Sequence, residues 1–136
     1  MPQDLSKLDG VATIAAFKSG AVTPAAYAEA LIERAAQNSH LNALQSFAAI
    51  ALKPSILEAF DASPDAALAG LPVLAKDNIN TNTYPTSGGT KSLLRHTPET
   101  NAGVVKHIKD AGGFIAAKAS MHELAFGITS NNAVTG

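Results

Sequence analysis

The sequence predicts an α/β fold, and three observations carry the prediction. Two short, continuously apolar runs, Val73-Leu-Ala75 and Phe114-Ile-Ala-Ala117, each end in a lysine, Lys76 and Lys118. Between them a helical pattern puts Val104, Val105, Ile108 and Ala111 on one face and stops at Gly112-Gly113. Strand, crossover helix and strand make a parallel βαβ unit, which is right-handed almost without exception. The third observation is composition: 46 % apolar and 15 % charged residues, few aromatics and abundant alanine suit helices packed closely on a sheet and argue against disorder. A chain of 136 residues can bury about two thirds of its unfolded surface, so one domain is expected. Its N-terminal helices fall within residues 1–62, and the lysine-bearing strand, the crossover helix and the loops within 68–136, with no boundary between them.

The elements follow in order. A first helix runs from about Leu8 or Asp9 to Lys18 and is closed by Gly20, the residue type that most easily takes a left-handed cap. Thr23 and Pro24 fit the N-cap and first turn of a second helix, in which Tyr27, Leu31 and Ala35 recur on one face while Glu29, Glu33 and Arg34 face water. Ala43 to Ala49 alternates only partly and reads as a strand in competition with a helical turn. Pro54 opens a short helix through Phe60, Ser63-Pro64-Asp65 breaks the pattern, and Gly70-Leu-Pro72 leads into a central strand buried on both faces. Asn80 to Glu99 is a polar stretch of about 20 residues, a length that in a compact domain is usually functional or disordered. Thr100 or Asn101 caps the crossover helix. After the second strand, Met121 begins a helical turn that passes into a second polar loop, Gly127 to Asn132.

Several classes of function are excluded early. The net charge of −1 and the absence of a basic run give no footprint for nucleic acid or an anionic membrane. Without cysteine there are no disulfides, no thiolate catalysis and no cysteine–zinc site. Met1 to Lys7 has no apolar core, and no stretch approaches the ~20 apolar residues of a membrane span, so a cytoplasmic protein is the expectation. Gly88-Gly-Thr-Lys-Ser92 lacks the glycine before its lysine that a phosphate loop needs, and Ala111-Gly112-Gly113 follows a helix, the reverse of a dinucleotide fingerprint. His122-Glu123 begins like a zinc-protease helix, but Phe126 stands where the second histidine belongs. His40, His96 and His107 are scattered and expected to be exposed. No metal and no cofactor are expected.

Serine–lysine chemistry remains. In open α/β sheets ligands gather at the carboxyl ends of strands, where both Lys76 and Lys118 stand; spacing does not choose between them, and either could instead snorkel into water. A neutral lysine can take a proton from a serine, but lysine in water has a pKa near ~10.4. Bringing it to about 7 means destabilising the charged form by about 4 to 5 kcal/mol, which burial under the two loops would supply. Ser87 and Ser130 lie in those loops and are candidate partners, with plain turn chemistry as the competing role.

These residues carry a resemblance. Gly70-Leu-Pro-Val73, Lys76-Asp-Asn-Ile79, Pro85-Thr-Ser-Gly-Gly-Thr90, Ala111-Gly112 and Met121-His-Glu-Leu-Ala-Phe-Gly-Ile-Thr-Ser-Asn-Asn132 occur in the order and spacing of the N-terminal part of the amidase signature family. The resemblance covers residues 68 to 136 well and the first two helices more loosely. It implies an α/β/α sandwich around a mixed, mostly parallel sheet, and hydrolysis of a carboxamide by a Ser–cis-Ser–Lys triad. Lys76 falls on the family's catalytic lysine and Lys118 becomes structural. The family's two catalytic serines belong to a later glycine- and serine-rich segment beyond residue 136, one of them in a Gly-Gly-Ser-Ser-Gly-Gly type motif, so neither Ser87 nor Ser130 matches the nucleophile, and this chain alone is expected to be inactive. Gly127, Thr129 and Ser130 match the loop bordering the substrate pocket. The family's usual Gly-Lys-Thr-Asn is Ala117-Lys-Ala-Ser120 here, and Thr135 replaces a commonly aromatic residue. Met121 to Asn132 leans toward aryl-acetamides such as indoleacetamide or mandelamide. The implied partner is a small-molecule amide, with no nucleic acid and no membrane; a homodimer is left open. The alternatives are the amidase-type component of a tRNA-dependent amidotransferase, which would need partner proteins and tRNA, and a non-catalytic scaffold or binding module of the same fold.

Overall fold

The computed structural model describes residues 4–136; residues 1–3, where the stretch read for a leader begins, lie outside the described residues. The elements are α1 (Gly10–Ser19), α2 (Pro24–Gln37), β1 (Leu44–Phe47), α3 (Ala49–Ala62), β2 (Pro72–Lys76), α4 (Gly103–Asp110) and β3 (Phe114–Ala119). They divide between two compact units, one of residues up to 38, 48–72 and 108–114, the other of 39–47, 73–107 and 115–136.

The first unit holds α1, α2 and α3. Asp9 caps α1 by accepting the Ala12 N–H at 2.8 Å, and Gly20 closes it in the left-handed conformation at φ 70°. Thr23 caps α2 through the Ala26 N–H at 3.2 Å, with Pro24 in the first turn, where a missing N–H costs nothing. Phe17 is the hub of this core: its ring stands edge-on to Tyr27 at 5.5 Å and to Phe60 at 5.6 Å. Tyr27, Ala28, Leu52 and Ile56 are buried around it, and α2 packs against α3.

Helix α3 differs from expectation. It starts at Ala49 rather than Pro54, so the proline lies inside it. The proline leaves the carbonyl four residues back, that of Ile50, without its helical donor. Ile50 is exposed, so water can serve that carbonyl, while Leu52 and Ile56, one turn apart and buried, hold the helix together across the proline.

The second unit holds most of a three-stranded sheet in the order β1-β3-β2. β1 runs antiparallel to β3, with Ser46 opposite Lys118 and Phe47 opposite Ala117, and the register slips between Leu44 and Ser46. β2 and β3 run parallel: Phe114 N–H donates to the Leu71 carbonyl at one end and Asp77 N–H to the Ala119 carbonyl at the other. The sheet is therefore mixed, and the fold is α/β. The βαβ unit is present, but the central strand is β3, not β2. Having neighbours on both sides, β3 buries every residue from Ile115 to Lys118. Among the described residues β2 lies at the edge and alternates: Ala75 is buried, whereas Leu74 and Lys76 are exposed, so within these residues β2 is not buried on both faces as expected. Helix α4 begins at Gly103 because Asn101 is engaged elsewhere, its Oδ1 accepting the Asn82 N–H at 2.9 Å.

The polar stretch after β2 has one short 3-10 turn, Lys91–Leu93, and is otherwise irregular. Residues 91–97 are exposed, but the stretch is pinned at several points. Thr86 N–H donates to the His96 carbonyl at 2.8 Å, Ala102 N–H to the Asn80 carbonyl at 2.9 Å, and the Tyr84 hydroxyl to the Ala116 carbonyl at 3.0 Å. Burial raises the Tyr84 phenol above its ordinary pKa. No helix among the described residues is long and apolar enough to cross a membrane.

Gly70 offers a check on the first unit. It sits at φ +80°, and a Cβ there would come within 2.8 Å of Phe60 Cβ and 3.1 Å of the Ile56 carbonyl oxygen. Gly70→Ala is expected to cost about 2 kcal/mol or more in urea denaturation, combining left-handed strain with backbone collision. Gly103→Ala, which meets nothing within 4 Å at the start of α4, should be neutral or slightly stabilising.

Candidate active site

Alternation along β2 continues past its end. Lys76 is exposed and Asp77 is buried, so the two side chains leave opposite sides of the strand. The chain then turns, and the turn is closed by the Ile79 N–H donating to the Lys76 carbonyl at 2.9 Å.

The Asp77 carboxylate is held by the Pro85 to Thr90 segment. It accepts the Ser87 N–H at 3.3 Å, the Gly89 N–H at 3.4 Å and the Ser87 hydroxyl, whose oxygen accepts the Gly89 N–H at 3.0 Å. Gly88 N–H in turn donates to the Asp77 carbonyl at 2.9 Å. Gly88 and Gly89 both have positive φ, 59° and 68°, which lets this short segment curl its amides around one carboxylate. A Cβ at Gly89 would collide with Asn132 Nδ2.

Lys118 completes the cluster. Its side chain is 0 % exposed, and its ammonium donates to the Ile79 carbonyl and, at 2.9 Å, to Thr86 Oγ1, with Asp77 Oδ1 at 3.9 Å. Burial pushes the Lys118 amine below its ordinary pKa, and the Asp77 carboxylate pulls it partly back. The burial expected of Lys76 thus falls on Lys118. The structure brings Ser87 together with Asp77 and Lys118, but not with Lys76.

The 122–131 loop stands out into solvent, with Gly127, Thr129 and Ser130 all exposed, as are Phe126 and Ile128. Ser130 sits at φ 55° outside the Asp77 cluster. A Cβ at Gly127 would run into the His122 ring, so only glycine lets the loop fold back over this imidazole. The loop is closed at its base by buried Asn132. Its Nδ2 donates to the Gly89 carbonyl at 2.8 Å and the Met121 carbonyl at 3.0 Å, and its Oδ1 accepts the Val134 and Thr135 N–H groups. Sequence reasoning missed Asp77, Thr86 and Asn132 as organising residues. The available signal was the alternation of β2 extended by one residue, which turns Asp77 inward wherever Lys76 is turned out.

Comparison with known proteins agrees with this architecture. The amidase family model matches residues 26–136. The indoleacetamide hydrolase of Allorhizobium ampelinum is 38 % identical over 109 residues, covering 79 % of this chain and 24 % of that protein. The mandelamide hydrolase of Pseudomonas putida is 34 % identical over 137 residues, covering 96 % of this chain and 27 % of that protein. A crystal structure of an amidase superposes with a TM-score of 0.84 at 33 % identity, over 95 % of this chain and 30 % of that one. The chain belongs to the amidase family. It spans about a quarter of the length of the curated relatives it matches.

The lowered Lys118 pKa has a consequence for stability. Between the lowered native value and the ordinary 10.5, the unfolded chain binds more protons than the folded one, so this group makes stability rise with pH. Tyr84 acts oppositely near and above its ordinary 10.0, but equally in any Lys118 variant. Denaturation of the parent and of Lys118→Met should therefore show the parent gaining on the variant from pH 8 to pH 10. A difference independent of pH would contradict the assignment.

Proposed function

We propose that this chain supplies the base, Lys76, of an amide hydrolase that works by a Ser–cis-Ser–Lys triad on small carboxamides, aryl-acetamides in particular. Family membership over residues 26–136 supports amide hydrolysis, and the names of the two relatives above support the substrate class. One observation favours Lys76 over Lys118. The Lys118 ammonium is enclosed and directed at three protein oxygens, whereas the Lys76 side chain leaves the carboxyl end of β2 toward open space.

In this reading both serines lie in sequence outside these 136 residues, which also supplies the cover over the exposed side of β2. That cover matters, because only an uncharged amine can accept a proton, and desolvation is what favours the uncharged form. Lys76 Nζ takes a proton from the bridging serine, which takes one from the nucleophilic serine as its oxygen attacks the amide carbon. The C–N bond then breaks, ammonia leaves with the proton returned through the same path, and water releases the acid. No cofactor enters. Gly127, Thr129 and Ser130 border the pocket from the loop closed by Asn132.

Two experiments on the complete enzyme test this. Lys76→Ala should lower kcat for ammonia release from indoleacetamide by at least 10²- to 10⁴-fold while the protein stays folded. Lys76→Arg should not restore it, because a guanidinium stays protonated. Near-normal kcat in a folded Lys76→Ala protein would end the proposal. Separately, replacing Thr129 and Ser130 by alanine should change the ratio of kcat/KM between aryl and aliphatic amides; an unchanged ratio would remove this loop from the pocket.

A further inference from the structure

We infer that Lys118 and Asp77 are positioning residues for Lys76, acting as a buried ion pair that fixes the 76–79 turn from the side opposite the Lys76 side chain. This rests on the assignment of Lys76 as the base and goes beyond it, because it gives Lys118 a part in catalysis rather than in stability alone.

The geometry is specific. Lys76 is the first residue of a four-residue turn, and both later anchor points of that turn are held by the cluster. At the second residue, the Asp77 carboxylate is gripped by Ser87 and Gly89, and its backbone is tied to Ala119 and Gly88. At the fourth, the Ile79 carbonyl accepts from the Lys118 ammonium while the Ile79 N–H closes onto Lys76. Lys118 itself comes from β3, the strand with neighbours on both sides. Its other hydrogen-bond partner, Thr86, is next to the residue that grips Asp77. The Lys118 bond to Ile79 and the backbone bonds of Asp77 thus hold the turn on which Lys76 stands. Lys118 is ill placed to be a base: it is fully buried, and three oxygens surround its nitrogen. A lysine side chain that must meet a serine within hydrogen-bond reach magnifies small errors in its backbone, and a misplacement of about 1 Å can cost ~10²-fold in rate.

The test compares Lys118→Met, Thr86→Val and Lys76→Ala, singly and as the pair Lys118→Met with Lys76→Ala, in the complete enzyme. Rates are normalised to folded protein by circular dichroism. Lys118→Met is expected to lower kcat by about 10- to 100-fold with KM within twofold of the parent. Thr86→Val, which nearly preserves volume and removes one bond to the same ammonium and the hydroxyl's own bond to the Ile79 carbonyl at 3.4 Å, should lower kcat in the same direction by about 3- to 10-fold. It keeps the question open to measurement should Lys118→Met fold poorly. In the Lys76→Ala background, Lys118→Met should cause no further loss, since a positioning residue has nothing left to position. A lower melting temperature with kcat unchanged in both Lys118→Met and Thr86→Val would overturn the inference, as would losses that multiply in the double variant. A folded Lys76→Ala enzyme with normal kcat would instead overturn the base assignment.

Discussion

The structure of the second unit depends on one buried cation. Lys118 brings a charge and three donor hydrogens to a place where its side chain is 0 % exposed, and such a group is tolerated only where acceptors meet it. The acceptors come from the turn after β2 and from the first half of the long polar segment: Ile79, Asp77 and Thr86. Satisfying one ammonium therefore helps to hold residues 77 to 90, rich in threonine, asparagine and glycine, in one irregular path, together with the Asp77 carboxylate and the backbone bonds of the segment.

The same pair contributes geometry more than stability. Asp77 is served by neutral donors from Ser87 and Gly89 in addition to the ammonium at 3.9 Å, so its charge is not balanced by Lys118 alone. Buried ion pairs often contribute little net stability, since desolvation offsets their attraction; what they resist is the loss of one partner. The lowered pKa of Lys118 points the same way, with burial outweighing the carboxylate's attraction. Specification of geometry is the better account of why two charges stand here.

Much of this was legible in the sequence because local chemistry decides it. Asp9, Thr23 with Pro24, and Gly20 mark helix ends with their own side chains or backbone freedom, and the βαβ unit follows from two apolar runs around an amphipathic helix. The failures are tertiary. Pro54 marks a helix start by its own preference, yet burial of Leu52 and Ile56 carries the helix across it. Two runs ending in lysine look alike until strand order is known, and strand order makes β3 central and β2 an edge. Both lysines follow an apolar run, and periodicity alone does not distinguish the one that is enclosed, Lys118, from the one that is exposed, Lys76.

Alternation along β2 also sets neighbouring residues apart. In a strand with one side buried, adjacent residues have opposite environments, so a residue that must meet a ligand and a residue that must be held rigid can be neighbours in sequence. Lys76 and Asp77 have such opposite environments, the first exposed and the second 2 % exposed, which suits the proposed division between base and anchor. The exposed loop from Phe126 to Ser130 repeats the arrangement with Asn132, whose side chain makes four hydrogen bonds at its base while the tip is free. In both places a buried polar side chain, saturated with partners, fixes a short exposed segment. Rigid anchoring beneath open residues is what catalysis by positioning requires, because it sets the direction of a side chain before any ligand arrives.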